Sequence, residues 1–164
     1  MSGIVIKRMD RMTPKHVNKH EKYEHYRYDV TDNKQKYNVD KPIDGNQTVT
    51  AFYVLPPGMS SYPFHYHTVN EEVFYIISGS GVLETFSGEQ TVTAGDVIVF
   101  PAGKEGAHKL TNDSETENLV YLDVDTNKTP EIAYYPHSNK VGIRACGVRQ
   151  NFDLGTTVGY YEGE

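Results

Sequence analysis

From Thr48 onward the chain is cut into short apolar runs, among them TVTAFYVL, EEVFYIIS, VLETF, QTVTA, VIVF and NLVYLDV, each closed by Gly, Pro, Ser, Asn or Asp. Runs of about five residues recurring roughly every ten are the pattern of β-strands joined by tight turns, and no long stretch carries the 3.6-residue period of an amphipathic helix. An all-β sandwich or barrel is the expectation. With 164 residues the chain can bury one sizeable core and not two independent ones.

Three regions follow from composition. Residues 1–46 form a polar arm whose apolar content is mainly tyrosine, so it cannot make a core of its own and is expected to lie across the barrel or a neighbouring subunit. Residues 47–126 hold the barrel strands. Residues 127–164 read as a loop, NKTPEIAYYPHSNK, followed by one or two additional strands packing on the barrel. The arm carries ten Lys/Arg against seven Asp/Glu, which leaves six against fifteen for the remainder. An acidic body of that kind argues against binding nucleic-acid phosphates.

No apolar run approaches the roughly 18 residues that span a bilayer, and MSGIVIKRMDRM lacks the apolar centre of a signal peptide, so the expectation is a cytoplasmic protein without membrane contact. The single cysteine, Cys146, excludes an intrachain disulfide and is read as a small buried apolar residue. Ser78 and Ser80 have no Asp-His partner in register, and the GSG at 79–81 lacks the following helix of a phosphate loop; it reads as a hairpin. His16 and His20 have helical spacing but no acidic partner, and together with His25 they read as surface residues.

The stretch FHYHTVNEEVFYIISGSG, residues 64–81, carries the chemistry. Residues two apart on a strand share a face, so His65 and His67 can present ring nitrogens to one ion about 2 Å away. The TVN loop then turns the chain, and Glu72 opens the next apolar run, where an antiparallel neighbour can set its carboxylate beside the imidazoles. Glu71 has the opposite parity. Downstream, GDVIVFPAGKEGAHKLTN supplies a glycine turn, a strand, a Pro-Gly loop and His108. Three neutral imidazoles and one carboxylate suit one divalent transition metal, Fe, Mn, Ni, Co or Zn, and are too nitrogen-rich for Ca or Mg.

These residues resemble the cupin superfamily. Its first motif, G-x5-H-x-H-x(3,4)-E-x6-G, is matched by Gly58, MSSYPF, His65-Tyr66-His67, TVNE, Glu72, VFYIIS and Gly79, with a first spacer of six rather than five. Its second, G-x5-P-x-G-x2-H-x3-N, is matched by Gly95, DVIVF, Pro101-Ala102-Gly103, KEGA, His108, KLT and Asn112, with four residues before His108 rather than two. The resemblance implies a double-stranded β-helix of jelly-roll type, the arm lying outside it. It also implies His65, His67, Glu72 and His108 as metal ligands, and a homodimer. Gly106 is the residue expected to absorb the insertion in the second motif.

If Glu72 faces inward, so do Phe74 and Ile76; with His108 inward, Leu110 follows; around Tyr121 either Tyr121 and Asp123 or Leu122 and Val124 are inside. Phe52, Tyr53, Tyr62, Phe74, Phe100 and Tyr121 are the candidate pocket residues, and Val49, Phe52, Val54, Val73, Ile76, Val97, Val99 and Leu119 the expected core. No arginine clamp is evident, which disfavours a strongly anionic substrate. Two function classes remain. One is an enzyme on a small organic molecule, a dioxygenase-type oxidoreductase or an isomerase, its general acid or base open among Glu71, Tyr66, Tyr121, Asp123 and His137. The other is a non-catalytic module that binds or senses a small molecule through the metal.

Overall fold

The alternation in TVTAFYVL is the seed of the architecture: Ala51, Tyr53 and Leu55 are buried, while the residues between them are only half-buried. A computed structural model describes residues 47–164, and within the preceding segment it describes the backbone of three strands. The N-terminal strands are β1 (Tyr26–Val30), β2 (Asn33–Val39) and β3 (Ile43–Asp44), followed by β4 (Thr48–Leu55), β5 (Tyr66–His67), β6 (Glu72–Ser78) and β7 (Ser80–Thr85). Then come β8 (Gly88–Thr93), β9 (Val97–Phe100), β10 (Lys109–Thr111), β11 (Leu119–Thr126), β12 (Glu131–Tyr135), β13 (Lys140–Ala145) and β14 (Val148–Asp153).

These strands make a double-stranded β-helix of jelly-roll type. One sheet runs β1-β2-β4-β11-β6-β9, with β3 also on β4; facing it are β10-β7-β8 and β14-β13-β12-β5. A bridge between His65 and His108 ties the two smaller sheets together. The strands β2 and β3 of the N-terminal segment pair with β4 of their own chain, Asn38 opposite Val54 and Ile43 opposite Thr50. His16, His20 and His25 lie outside the described residues.

Register decides which side chains are inside. β6 pairs with β9 so that Glu72 stands opposite Phe100 and Tyr75 opposite Val97; directly opposed residues share a face, so Phe100 points inward with Glu72, Phe74 and Ile76. Val97 and Val99, expected in the core, are therefore turned outward and are 64% and 59% exposed. The same rule on β4 and β11 pairs Tyr53 with Tyr121 and Ala51 with Asp123, so Tyr121 and Asp123 are inside and Phe52 is not. Leu55, Phe74, Ile76, Leu83, Leu110, Leu119 and Tyr121 are at most 1% exposed and form the heart of the core.

Further expectations change. The segment 127–140 contains strand β12, held between β5 and β13. Cys146 is exposed, because it and Gly147 form the two-residue turn between β13 and β14, with φ of 50° and 80°. Positive φ at both central positions is what a twisted two-residue hairpin requires. The GSG expected as a hairpin is instead the crossing from one sheet to the other, since β6 pairs with β11 and β9 while β7 pairs with β8 and β10; at Gly79, φ 81°, a Cβ would run into the Asn118 carbonyl.

Candidate metal centre

His65 and His108 exchange both backbone hydrogen bonds, His65 N to His108 O at 3.1 Å and His108 N to His65 O at 2.9 Å. Residues opposed in this way project to the same side, so two histidines 43 positions apart come face to face, their ring centroids 4.9 Å apart. Two residues after His65, His67 joins them through strand parity. Glu72 arrives from the other sheet as the first residue of β6. Its Oε2 lies 3.8 Å from His65 Nε2, 3.7 Å from His67 Nε2 and 3.2 Å from His108 Nε2.

The tautomers follow from the second ring nitrogens. His65 Nδ1 is 2.8 Å from the Pro63 carbonyl and His108 Nδ1 is 2.8 Å from the Gly106 carbonyl. A carbonyl only accepts, so each Nδ1 carries the proton and each Nε2 keeps a lone pair facing Glu72. Gly106 can supply its carbonyl because it lies tight over Pro101 O, where a Cβ would clash. His67 Nδ1 faces Glu131 Oε1 at 3.7 Å. Glu131 is buried and accepts from Thr68 N (2.9 Å), Thr68 Oγ1 (3.3 Å), Asn70 N (2.8 Å) and Asn70 Nδ2. It therefore pins the loop that separates the paired histidines from Glu72.

Burial holds His65 well below the ordinary histidine range, with His108 and His67 adding repulsion, and drives His108 down to about 4. His67 is lowered by burial and partly restored by Glu131. The imidazoles are thus neutral, as metal ligands must be. Burial, then repulsion from Asp125 and Asp123, pushes Glu72 well above the carboxylate range; burial does the same to Asp123 and raises Asp125. Asp125 stands directly opposite Glu72 across β11 and β6.

Glu72 Oε2 is buried and has no hydrogen-bond donor among the described residues, a costly state for a carboxylate oxygen. Two donors bound side by side at ~2.1 Å to one ion stand ~3 Å apart, so the 3.2 to 3.8 Å edges leave room for a cation among them. His65, His67 and Glu72 place ligand atoms within 4.8 Å of one another. The residues fit a divalent transition metal.

The centre opens into a cavity of about 340 Å³, within the range of small-molecule sites. Tyr53 and Tyr62 line it, together with Asn70, Asp123, Asp125, Tyr135, Arg144 and Arg149. Phe74, Phe100 and Tyr121 are core residues packed beneath: the Phe100 ring stacks on His108 at 3.6 Å and Tyr121 stacks on Tyr53 at 4.9 Å. Phe52 is turned away by the register of β4. Of the five groups left open as acid or base, only Asp123 lines the cavity. Glu71 is exposed on the other face, Tyr66 stacks on Tyr134, and His137 is an exposed residue 3.4 Å from Glu84.

Sequence reasoning missed Glu131, Asp125, Tyr135 and the two arginines. Tyr135 stacks against His65 with centroids 5.8 Å apart, and its hydroxyl is raised by burial and by Glu72 while both arginines pull it down. Arg144 and Arg149 face each other across the β13–β14 hairpin. The arginines overturn the expectation that this cavity has no guanidinium.

Residues 51–125 match the family model described as Cupin domain. Among solved structures, a candidate sugar phosphate isomerase from Acidithiobacillus ferrooxidans is similar at 25% identity, over 77% of this chain and 82% of that one, with a TM-score of 0.68. A sugar phosphate isomerase of the cupin superfamily from Silicibacter pomeroyi is similar at 26% identity over 69% and 71%, TM-score 0.64. A predicted oxalate decarboxylase from Thermotoga maritima is similar at 25% over 64% and 93%, TM-score 0.54. No curated protein sequence matches the chain. Among the described residues no helix is long and apolar enough to cross a membrane.

Proposed function

The chain carries a cupin domain over residues 51–125, and from that premise we propose that it is a metal-dependent isomerase of small hydroxy-carbonyl compounds. The observation that carries this reading is the convergence of three Nε2 atoms on the donorless Glu72 oxygen, at the wall of a polar cavity. His65, His67, Glu72 and His108 hold one divalent metal, Fe, Mn, Ni, Co or Zn. When bound, the metal polarises a carbonyl and makes the proton on the adjacent carbon acidic.

The chain's own groups then move that proton. Asp125 faces the cavity opposite Glu72, with Asp123 two residues away on the same strand face. Burial raises both carboxyls, which brings them toward the range in which a carboxylate both takes and returns a proton. Asp125 takes the proton from the hydroxyl-bearing carbon and returns it to the former carbonyl carbon, while the hydroxyl proton passes to the former carbonyl oxygen, so the product is an isomer with no net oxidation. Polar walls favour a hydroxylated substrate over an apolar one, and the similarity to two proteins named as sugar phosphate isomerases supports this branch over dioxygenation. A homodimer in a cytoplasmic setting belongs to the same proposal.

The test begins with elemental analysis of protein purified without added metal. Incubation of the loaded protein with a panel of aldoses, ketoses and their phosphates in D2O follows, read by NMR for deuterium at carbon. Exchange that disappears in Asp125→Asn while metal content persists is the expected result. Oxygen consumption would redirect the reading to a dioxygenase. Ligand binding without exchange would make the chain a binding module.

A further inference from the structure

We infer that Arg144 and Arg149 form an oxyanion subsite that takes a phosphoryl group, in the same cavity as the histidine cluster. That this group belongs to the substrate rests on the function proposed above; the subsite itself does not. The two residues are directly opposed on β13 and β14, their register fixed by the two-residue turn Cys146–Gly147. Like charges directly opposed on antiparallel strands destabilise the pair. Among the described residues neither guanidinium has a carboxylate within 4.0 Å or any hydrogen-bond partner. The carboxylate opposed to Arg144 on its other side, Glu131, accepts from Thr68 and Asn70 instead, so two positive forks stand together with no anion paired to either.

Their position gives the charge a use. Both line the cavity that contains His65, His67 and Glu72, and both line an adjoining recess of about 90 Å³ with His67, Glu131, Gln150 and Asn151. The amides add donors of the kind a phosphate oxygen accepts, and arginine forks match such oxygens two bonds at a time. Between the centres stands Tyr135, its ring wedged against Gly142, where a Cβ would sit 3.3 Å from Cε2. The hydroxyl of this tyrosine lies within electrostatic reach of Glu72 on one side and of both arginines on the other. The guanidiniums thus share one cavity with the imidazoles and carboxylates, Arg144 being close enough to act on His67 and Asp125.

The guanidiniums also set orientation. The arginine forks match a phosphoryl group two bonds at a time, so a phosphorylated hydroxy-carbonyl enters with its uncharged end toward the histidines. A dianionic phosphoryl group balances two guanidiniums, whereas a carboxylate balances one.

Inorganic phosphate is the probe, titrated calorimetrically into wild type, Arg149→Gln, the Arg144→Gln/Arg149→Gln pair and His67→Ala, with acetate as the monoanionic control. Arg149 is exposed, so its replacement leaves the fold intact, and melting and metal content check this for each variant. Phosphate should bind wild type, weaken by about tenfold or more in Arg149→Gln and vanish in the pair, since each charge-assisted contact contributes about 1.5–3 kcal/mol. Binding should persist in His67→Ala, and acetate should bind at least about tenfold more weakly. No phosphate binding at about 10 mM, binding indifferent to the arginines, or binding lost in His67→Ala alone would overturn the subsite. Phosphate binding with no deuterium exchange on any panel member would leave the subsite standing and remove the isomerase; exchange together with no phosphate binding would do the reverse.

Discussion

Replacing Glu131 by Gln changes one atom in a buried carboxylate that no motif marks. Its two oxygens accept four hydrogen bonds from Thr68 and Asn70. Thr68 N has a second acceptor in Ile132 O at 3.0 Å, so the amide will turn its oxygen to Asn70 N and its NH2 to Thr68 Oγ1. Charge-assisted bonds at about 1.5–3 kcal/mol become neutral ones at about 1 kcal/mol, a loss of about 2–8 kcal/mol over the four. For a chain of this size that corresponds to a melting temperature lower by roughly 4–32 °C. The new NH2 also faces His67 Nδ1, which now looks at an acceptor 3.7 Å away; a donor there favours the tautomer with its proton on Nε2, where the metal should bind. Loss of such an outer partner costs about 10–100-fold in metal affinity. Thermal melts of metal-free protein give the first effect and competition with a chelating dye gives the second. A Glu131→Gln protein that melts with wild type and holds metal within about twofold would refute the role given to this carboxylate.

Three other perturbations separate the remaining claims. Glu72→Gln should weaken metal retention by about tenfold or more, about 1.4 kcal/mol, while Glu71→Gln, on the exposed side, should leave it unchanged; equal losses by equilibrium dialysis would mean the ligand is misassigned. Chelation should lower the melting temperature by the equivalent of about 2.7 kcal/mol at a free metal concentration a hundred times Kd. It should not unfold the chain, because the apolar cluster from Ala51 to Tyr121 needs no ion. In metal-free protein, His108 titrates at about 4 against ~6.5 unfolded. The unfolded chain binds that proton first, so the stability tied to neutral His108 is full above ~6.5 and falls as pH drops toward 4, by about 2 kcal/mol between pH 7 and 5. Glu72 and Asp123, both raised, act with the opposite sign. Comparing wild type with His108→Gln in melts at both pH values isolates the histidine, and parallel pH slopes would show that it is not buried as described.

Strand positions were legible where one face is apolar and the other is not. TVTAFYVL and EEVFYIIS alternate, and the parity of Glu72, Phe74 and Ile76 follows directly. VIVF carries no such signal, since both faces are apolar; only the pairing of Phe100 with Glu72 places Val97 and Val99 outside. EIAYY read as loop because prolines bracket it and its five residues are too few to show a period. It becomes a strand through pairing with β13 on one side and with Tyr66 and His67 on the other, the latter made across more than 60 residues and invisible to a local pattern.

The candidate site divides along the same line. His65, His67, Glu72 and His108 stand out because each is an unusual residue in an apolar or turn context and the spacing is that of a known motif. Glu131, Asp125, Arg144 and Arg149 are common residue types in ordinary surroundings, and what brings them to the candidate site is a partner supplied by tertiary pairing. Yet two of those pairings left traces. Once Tyr121 and Asp123 face inward, Asp125 must follow by strand parity. Once Cys146–Gly147 is read as a two-residue turn, Arg144 must stand opposite Arg149, since such a turn counts outward symmetrically. Glu131 had no such trace, because the loop it pins is recognisable only after β12 has docked beside His67. A carboxylate opposite a carboxylate and a guanidinium opposite a guanidinium are both unfavourable in an isolated hairpin. Both occur here on the walls of one cavity, and each has the charge that would attract the opposite end of a phosphorylated, metal-binding substrate.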